Sequence, residues 1–132
     1  MTVFVCLDDN DGMMFNNRRQ SRDSKVVEHI KAISKGRRLY MDSYSEKLFK
    51  DSEITVDDDF LNKAKAEDCC FVERANLKEY DDEIKELVVF RWNRVYPFDK
   101  QIDIGFEERA LKESYDFEGT SHERITCEVW VR

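Results

Sequence analysis

The run Thr2-Val3-Phe4-Val5-Cys6-Leu7 is apolar at odd and even positions alike, and it constrains the fold more than any other segment. Successive side chains of a strand point to opposite faces, so an unbroken apolar run needs cover on both. Asp8-Asp9-Asn10-Asp11-Gly12 then ends the run in a turn. A second run of the same kind, Leu87-Val88-Val89-Phe90, passes into alternation through Arg91-Trp92-Asn93-Arg94-Val95. That change predicts a strand leading from the sheet centre to its edge. Two doubly covered strands far apart in the chain call for helices on the faces of a mostly parallel sheet, the α/β class.

The intervening segments fit that class. Residues 13–22 read as a loop ending in the polar stretch Asn16 to Arg22. A helix follows, with Asp23 or Ser24 as N-cap, Val26, Val27, Ile30 and Ile33 at helical spacing, and Lys35-Gly36 where a helix stops. Arg38 to Met41 predicts a short strand, Ser43 to Lys50 a short helix, and Ile54 to Val56 a strand stub. Asp57-Asp58-Asp59 opens a helix to about Ala66, with acids at its positive end. Cys69 to Val72 is another strand, and Leu77 to Lys85 a loop or short helix. Strands over about 110–117 and 124–131 follow one another without a helix, which predicts an antiparallel finish. With no repeat, low-complexity stretch or linker, residues 1–132 read as one domain.

Composition narrows the function. The chain of 132 residues has 41% hydrophobic, 12% aromatic and 39% charged residues, enough apolar matter for a core inside a solvated exterior. A net charge of −7 argues against nucleic acid as a ligand and fits solubility or a basic partner surface. No apolar run is long enough to span a membrane, and the acids at Asp8 and Asp9 do not suit a signal peptide, so the cytoplasm is expected. The four cysteines lie in strand-like runs, as reduced core thiols do. No metal site is expected: there is no Cys-x-x-Cys, His29 and His122 are isolated, and Asp57 to Asp59 lack calcium-loop spacing. The same histidine poverty excludes a metallo-β-lactamase-type nuclease.

Three ordered stretches resemble the dihydrofolate reductase family. Val5 to Asn17 is similar to its opening strand and the start of its mobile active-site loop. Lys31 to Met41 resembles its helix end, turn and second strand. In the third, Glu83 to Arg91, Tyr96-Pro97 and Ile125 to Arg132 match its late strand, Phe-Pro and closing strand. The resemblance covers about two-thirds of the chain. It implies a mixed, mostly parallel sheet flanked by helices, with antiparallel C-terminal strands.

The departures from the family pattern bear on function. Arg18-Arg19-Gln20 stands for the family's Leu-Pro-Trp, and Phe15 stands at the glycine that admits the nicotinamide. Val26 falls on the pterin-binding carboxylate; Asp23 and Glu28 are the nearest acids, and either reaches the cleft only through a register slip. Asp42-Ser43 replaces the opening of the cofactor-phosphate helix, and Glu73-Arg74 replaces a Gly-Gly pair. The segment from Met41 to Phe71 is shorter than the family's. A bidentate phosphate contact is worth about 1.5–3 kcal/mol, so losing several moves affinity from micromolar to millimolar. No cofactor is therefore expected; NADPH enters only if reduction survives.

The remaining chemistry has bland readings beside sharp ones. Arg18, Arg19 and Arg22 suit an anionic ligand, or are solvated loop charges; Phe15, Asn17, Val26, Glu73 and Arg74 complete the cleft candidates. Asp23 is a proton donor to a heterocycle or an N-cap, and as a cap alone it predicts a slight stability loss for Asp23→Asn. Glu28 and His29 are adjacent on a helix and do not face each other. Ser121-His122-Glu123 are sequence neighbours, which rarely form a nucleophile–base pair. Trp92 and Trp130 are expected to pack the sheet surface. Three functions follow: a non-catalytic binder of a small heterocyclic or anionic ligand, an atypical pterin- or flavin-type reductase, and an acidic protein that neutralises a basic partner.

Overall fold

A computed structural model of the chain describes residues 1–50 and 52–132. In chain order it contains β1 (Thr2–Leu7), β2 (Gly12–Phe15), β3 (Arg18–Arg19), α1 (Ser24–Ile33), β4 (Leu39–Met41), β5 (Thr55–Val56), α2 (Phe60–Lys63), β6 (Cys69–Phe71), β7 (Glu86–Arg91), β8 (Lys100–Gln101), β9 (Ala110–Phe117) and β10 (Ile125–Val131). Two 3₁₀ segments, Ser45–Phe49 and Lys78–Glu83, join these elements. The main sheet runs β5-β4-β6-β1-β7-β10-β9. β1 pairs parallel with β6 and β7, β4 pairs parallel with β5 and β6, and β10 lies antiparallel between β7 and β9. The expected mixed sheet with an antiparallel finish is what the chain builds. Among the described residues no helix is long and apolar enough to cross a membrane.

The pleat distributes the apolar runs between two core layers. Val3, Val5, Leu7, Leu87 and Val89 face a layer closed by Phe60, Leu61, Leu77, Ile84 and Ile104. Phe4, Val88 and Phe90 face the other layer, where α1 lays down Val26 and Ile30 beside Ile125 and Cys127. Both runs need an apolar partner at every position, which is why neither shows a polar face. The alternation of β10 is also explained: Ile125, Cys127 and Val129 enter the core beside α1, while Trp130 packs on Phe106 across the sheet.

Four expectations need correction. Residues 13–22 are not a plain loop, because β2 and β3 form a hairpin with Phe15 opposite Arg18, and β8 pairs on its other side. Asn16 and Asn17 turn that hairpin at φ 51° and 59°, the left-handed pair of a two-residue I′ connection, which asparagine tolerates. The strand from Leu87 stops at Arg91 rather than Val95, since Asn93 sits at φ 60° and the Arg94 carbonyl accepts from Asp9 N–H. The helix after Asp57 ends at Lys63, one turn long. Trp92 is not on the sheet surface; it is 2% exposed and its ring stacks on His122, 4.6 Å between centroids.

Candidate functional site

In an open α/β sheet ligands gather at the carboxyl ends of the strands, where neighbouring strands send their connections to opposite faces. Here that point lies between β1 and β6. β1 continues through α1 on one face, and β6 continues through Leu77 and Ile84 on the other. Glu73 stands two residues past the end of β6, and the chain's own side chains converge on it.

The β2–β3 hairpin delivers Arg19 to this place. Arg19 Nε donates to Glu73 Oε2 at 2.8 Å and its Nη2 to Oε1 at 2.9 Å, a bidentate pair with Glu73 only 9% exposed. Ser45 Oγ donates to Oε1 at 2.8 Å, which adds a third donor. Arg19 N–H donates to the Tyr44 hydroxyl at 2.9 Å, and the Arg19 guanidinium lies 4.4 Å from the Tyr44 ring centre. Arg74 lies 4.6 Å from the same ring and reaches Asp42 Oδ2 at 3.4 Å. Asp42 Oδ1 accepts from Ser45 N–H at 2.9 Å, at the head of the segment that follows β4. The hydrogen bond to Glu73 raises the Arg19 guanidinium's proton affinity against the opposing effect of burial. Of the sequence candidates, Arg19, Glu73 and Arg74 are thus brought together, but they face one another.

The other candidates scatter. Val26 is buried in the core layer beside α1. Glu28 is exposed and pairs with Lys25 at 3.4 Å, while His29 stacks on Phe117 at 3.9 Å. Burial lowers the His29 proton affinity. Arg22 and Asn17 are exposed. Phe15 and Arg18 line an open pocket of about 490 Å³ with Gln20, Tyr96 and Pro97.

Asp23 is fully enclosed, and three of its four partners come from the turn at 119–122, far away in the chain. Oδ1 accepts from Lys25 N–H and Thr120 N–H, both at 2.9 Å. Oδ2 accepts from Ser121 N–H at 2.8 Å and meets His122 Nδ1 at 2.9 Å. Burial opposes the charge, yet the hydrogen bonds from His122, Thr120, Ser121 and Lys25 prevail and hold the carboxyl down to about 2. Gly119 makes this fit possible: a Cβ there would stand 2.5 Å from Oδ2 and 2.8 Å from Ile125 Cδ1. With Asp23 ionised, the proton of a neutral imidazole sits on Nδ1, and Nε2 is the acceptor. Ser21 Oγ lies 3.0 Å and the Tyr96 hydroxyl 3.2 Å from that nitrogen. Ser21, Asp23 and His122 come from opposite ends of the chain. Their only sequence signals were a histidine in a glycine-containing turn and an aspartate at a helix start.

No protein-family model and no curated protein matches the sequence. Among solved structures, the chain is similar to a dihydrofolate reductase from Enterococcus faecalis complexed with NADP(H) and RAB-propyl. The likeness has a TM-score of 0.70 at 8% identity and covers 99% of this chain and 95% of that one. A two-faced parallel sheet, an antiparallel closing pair, a covering helix after the first strand and this structural likeness together show that the chain has the dihydrofolate reductase fold in a highly divergent sequence.

Proposed function

We propose that this protein keeps the dihydrofolate reductase fold without NADPH-dependent reduction, and that it binds a small, flat anionic ligand beside the former cleft. The observation that supports this most is the Arg19–Glu73–Ser45 network, which fills the strand-end position where such folds hold ligands. A pyrophosphate placed there would meet the carboxylates of Glu73 and Asp42 instead of open backbone N–H groups. A proton donor is also lacking at the expected place. Asp23 is held ionised near neutral pH with its lone pairs engaged, far from the poise of a general acid, and Val26 has nothing to donate.

The pocket of Phe15, Arg18, Gln20 and Tyr96 offers complementary chemistry. Arg18 presents a guanidinium fork suited to a carboxylate, and Phe15 and Tyr96 offer aromatic faces. Gln20 Nε2 donates to the Pro97 carbonyl at 3.3 Å, which ties the two sides of the pocket together. Titrating the ¹⁵N-labelled protein with benzoate tests this reading. Amide shifts should cluster at residues 15–20 and Tyr96 and vanish in Arg18→Ala. Shifts elsewhere, or an undiminished response in the variant, would overturn it.

A second reading, an atypical reductase of a pterin- or flavin-like compound, draws support from the fold shared with a reductase complexed with NADP(H). Saturable NADPH oxidation with such a compound would favour it.

A further inference from the structure

The geometry points to Ser21 as an activated nucleophile for acyl transfer, with His122 as its general base and Asp23 positioning the imidazole. Ser21 Oγ is 3.0 Å from His122 Nε2, and His122 Nδ1 is 2.9 Å from Asp23 Oδ2. This is the serine–histidine–aspartate order of contacts that hydroxyl nucleophiles use on unrelated folds. The inference goes beyond the ligand reading above and rests on it only for the substrate class.

Each member is held where the chemistry needs it. Asp23 is tied by three backbone N–H donors, so its carboxylate fixes the ring tautomer. Trp92 stacks on the imidazole at 4.6 Å and 23°, which sets the ring plane. The histidine is 4% exposed, whereas Ser21 is half-buried and meets solvent. The pocket that carries Arg94, Thr120 and Ser121 opens against His122 on one side. The pocket of Arg18 and Phe15 reaches Tyr96, whose hydroxyl shares Nε2 on the other. Among the described residues, the backbone N–H groups of Ser21, Arg22, Asp23 and Ser24 donate no hydrogen bond within the chain. The N–H groups of Ser21 and Arg22, the nearer of these in the chain and not buried, are the donors a developing oxyanion would draw on.

The substrate that matches is an ester bearing an anionic group, with its charge on Arg18. Ser21 Oγ forms a bond to the acyl carbon while the carbonyl π pair moves to oxygen, and His122 Nε2 takes the hydroxyl proton. The oxyanion re-forms the carbonyl, the ester C–O bond breaks, and the departing alkoxide takes the proton from Nε2. Water repeats the sequence on the acyl-serine, releasing the acid and restoring Ser21. Ester and water give acid and alcohol, with no other reactant.

Labelling with a fluorophosphonate, read by intact-protein and peptide mass spectrometry, tests the nucleophile apart from the ligand. In this reaction an Oγ–P bond forms, P–F breaks, and fluoride leaves with the serine proton. One adduct per chain at Ser21 is expected, with none in Ser21→Ala and about 100-fold slower labelling in His122→Asn. Because His122→Asn also loosens the Asp23 cluster, its fold is checked by urea unfolding, and the wild-type adduct at Ser21 with its loss in Ser21→Ala decides the nucleophile even where that variant unfolds. No adduct, an adduct at another residue, or equal rates in the wild type and His122→Asn would overturn the proposal. Substrate class is read separately by comparing p-nitrophenyl succinate with p-nitrophenyl acetate. Labelling at Ser21 with no preference for succinate overturns the anionic substrate and leaves the nucleophile standing. Benzoate binding without labelling does the reverse.

Discussion

Replacing Asp23 by Asn removes a charge from an enclosed site and puts an amide NH₂ where a carboxylate oxygen accepted. If Oδ1 keeps its bonds from Lys25 and Thr120, the new NH₂ faces the Ser121 N–H and the Nδ1 proton of His122, donor against donor. The charge contribution follows from proton linkage. The folded carboxyl is held at about 2 against an ordinary 3.8, and each tenfold change in proton affinity is worth about 1.4 kcal/mol, so the stabilisation is on the order of 2 kcal/mol. Unpaired donors add about 1–2 kcal/mol, for a total loss of about 3–4 kcal/mol near pH 7. The sequence reading of Asp23 as a simple N-cap predicted only a slight loss; the structure raises it because the carboxylate also gathers the Gly119–His122 turn. The sign with pH is fixed. A depressed folded pKa gives stability that is present above the unfolded value of 3.8 and is lost as pH falls toward about 2. Urea unfolding of wild type and variant from pH 6 to pH 2 should therefore show a gap that narrows by about 2 kcal/mol below pH 4. A gap that is constant with pH, or under about 1 kcal/mol throughout, would show that the Asp23 charge does not hold the turn.

Three further outcomes are expected. Glu73→Gln leaves Arg19 with a neutral partner in a half-buried place and should cost about 1–3 kcal/mol in urea unfolding at low salt. Gly119→Ala should destabilise by about 1–3 kcal/mol and move the amide resonances of Thr120 and Ser121, because its methyl enters the Asp23 contact. Ile30→Ala, from a position with no exposure, should cost about 2–5 kcal/mol in the same unfolding assay and leave the pocket of Arg18 unchanged.

The sheet was legible because burial writes itself locally. Val3 to Leu7 and Leu87 to Phe90 need apolar neighbours on both faces, and β10 needs them on one, so the runs themselves disclosed the class. Asp23 was readable as a helix start for the same local reason, and it caps α1 through Lys25 N–H. The hairpin of β2 and β3 was missed because its strands are only four and two residues long and its turn is Asn16-Asn17 rather than a glycine pair. The partners of Asp23 and Glu73 were not legible. His122 lies 99 residues from Asp23, and Glu73 lies 54 from Arg19, and nothing in spacing or composition links such positions. The departures at Phe15, Val26, Asp42 and Glu73 mark a changed cleft with Arg19 among its candidates, while the pairing of Arg19 with Glu73 is visible only in the structure.

Calorimetric titration of the protein with NADPH tests most directly whether the Arg19–Glu73–Ser45 network has closed the cofactor position. No saturable heat is expected below millimolar concentrations, in the wild type and in Arg18→Ala alike. A micromolar dissociation constant with one site per chain would contradict it.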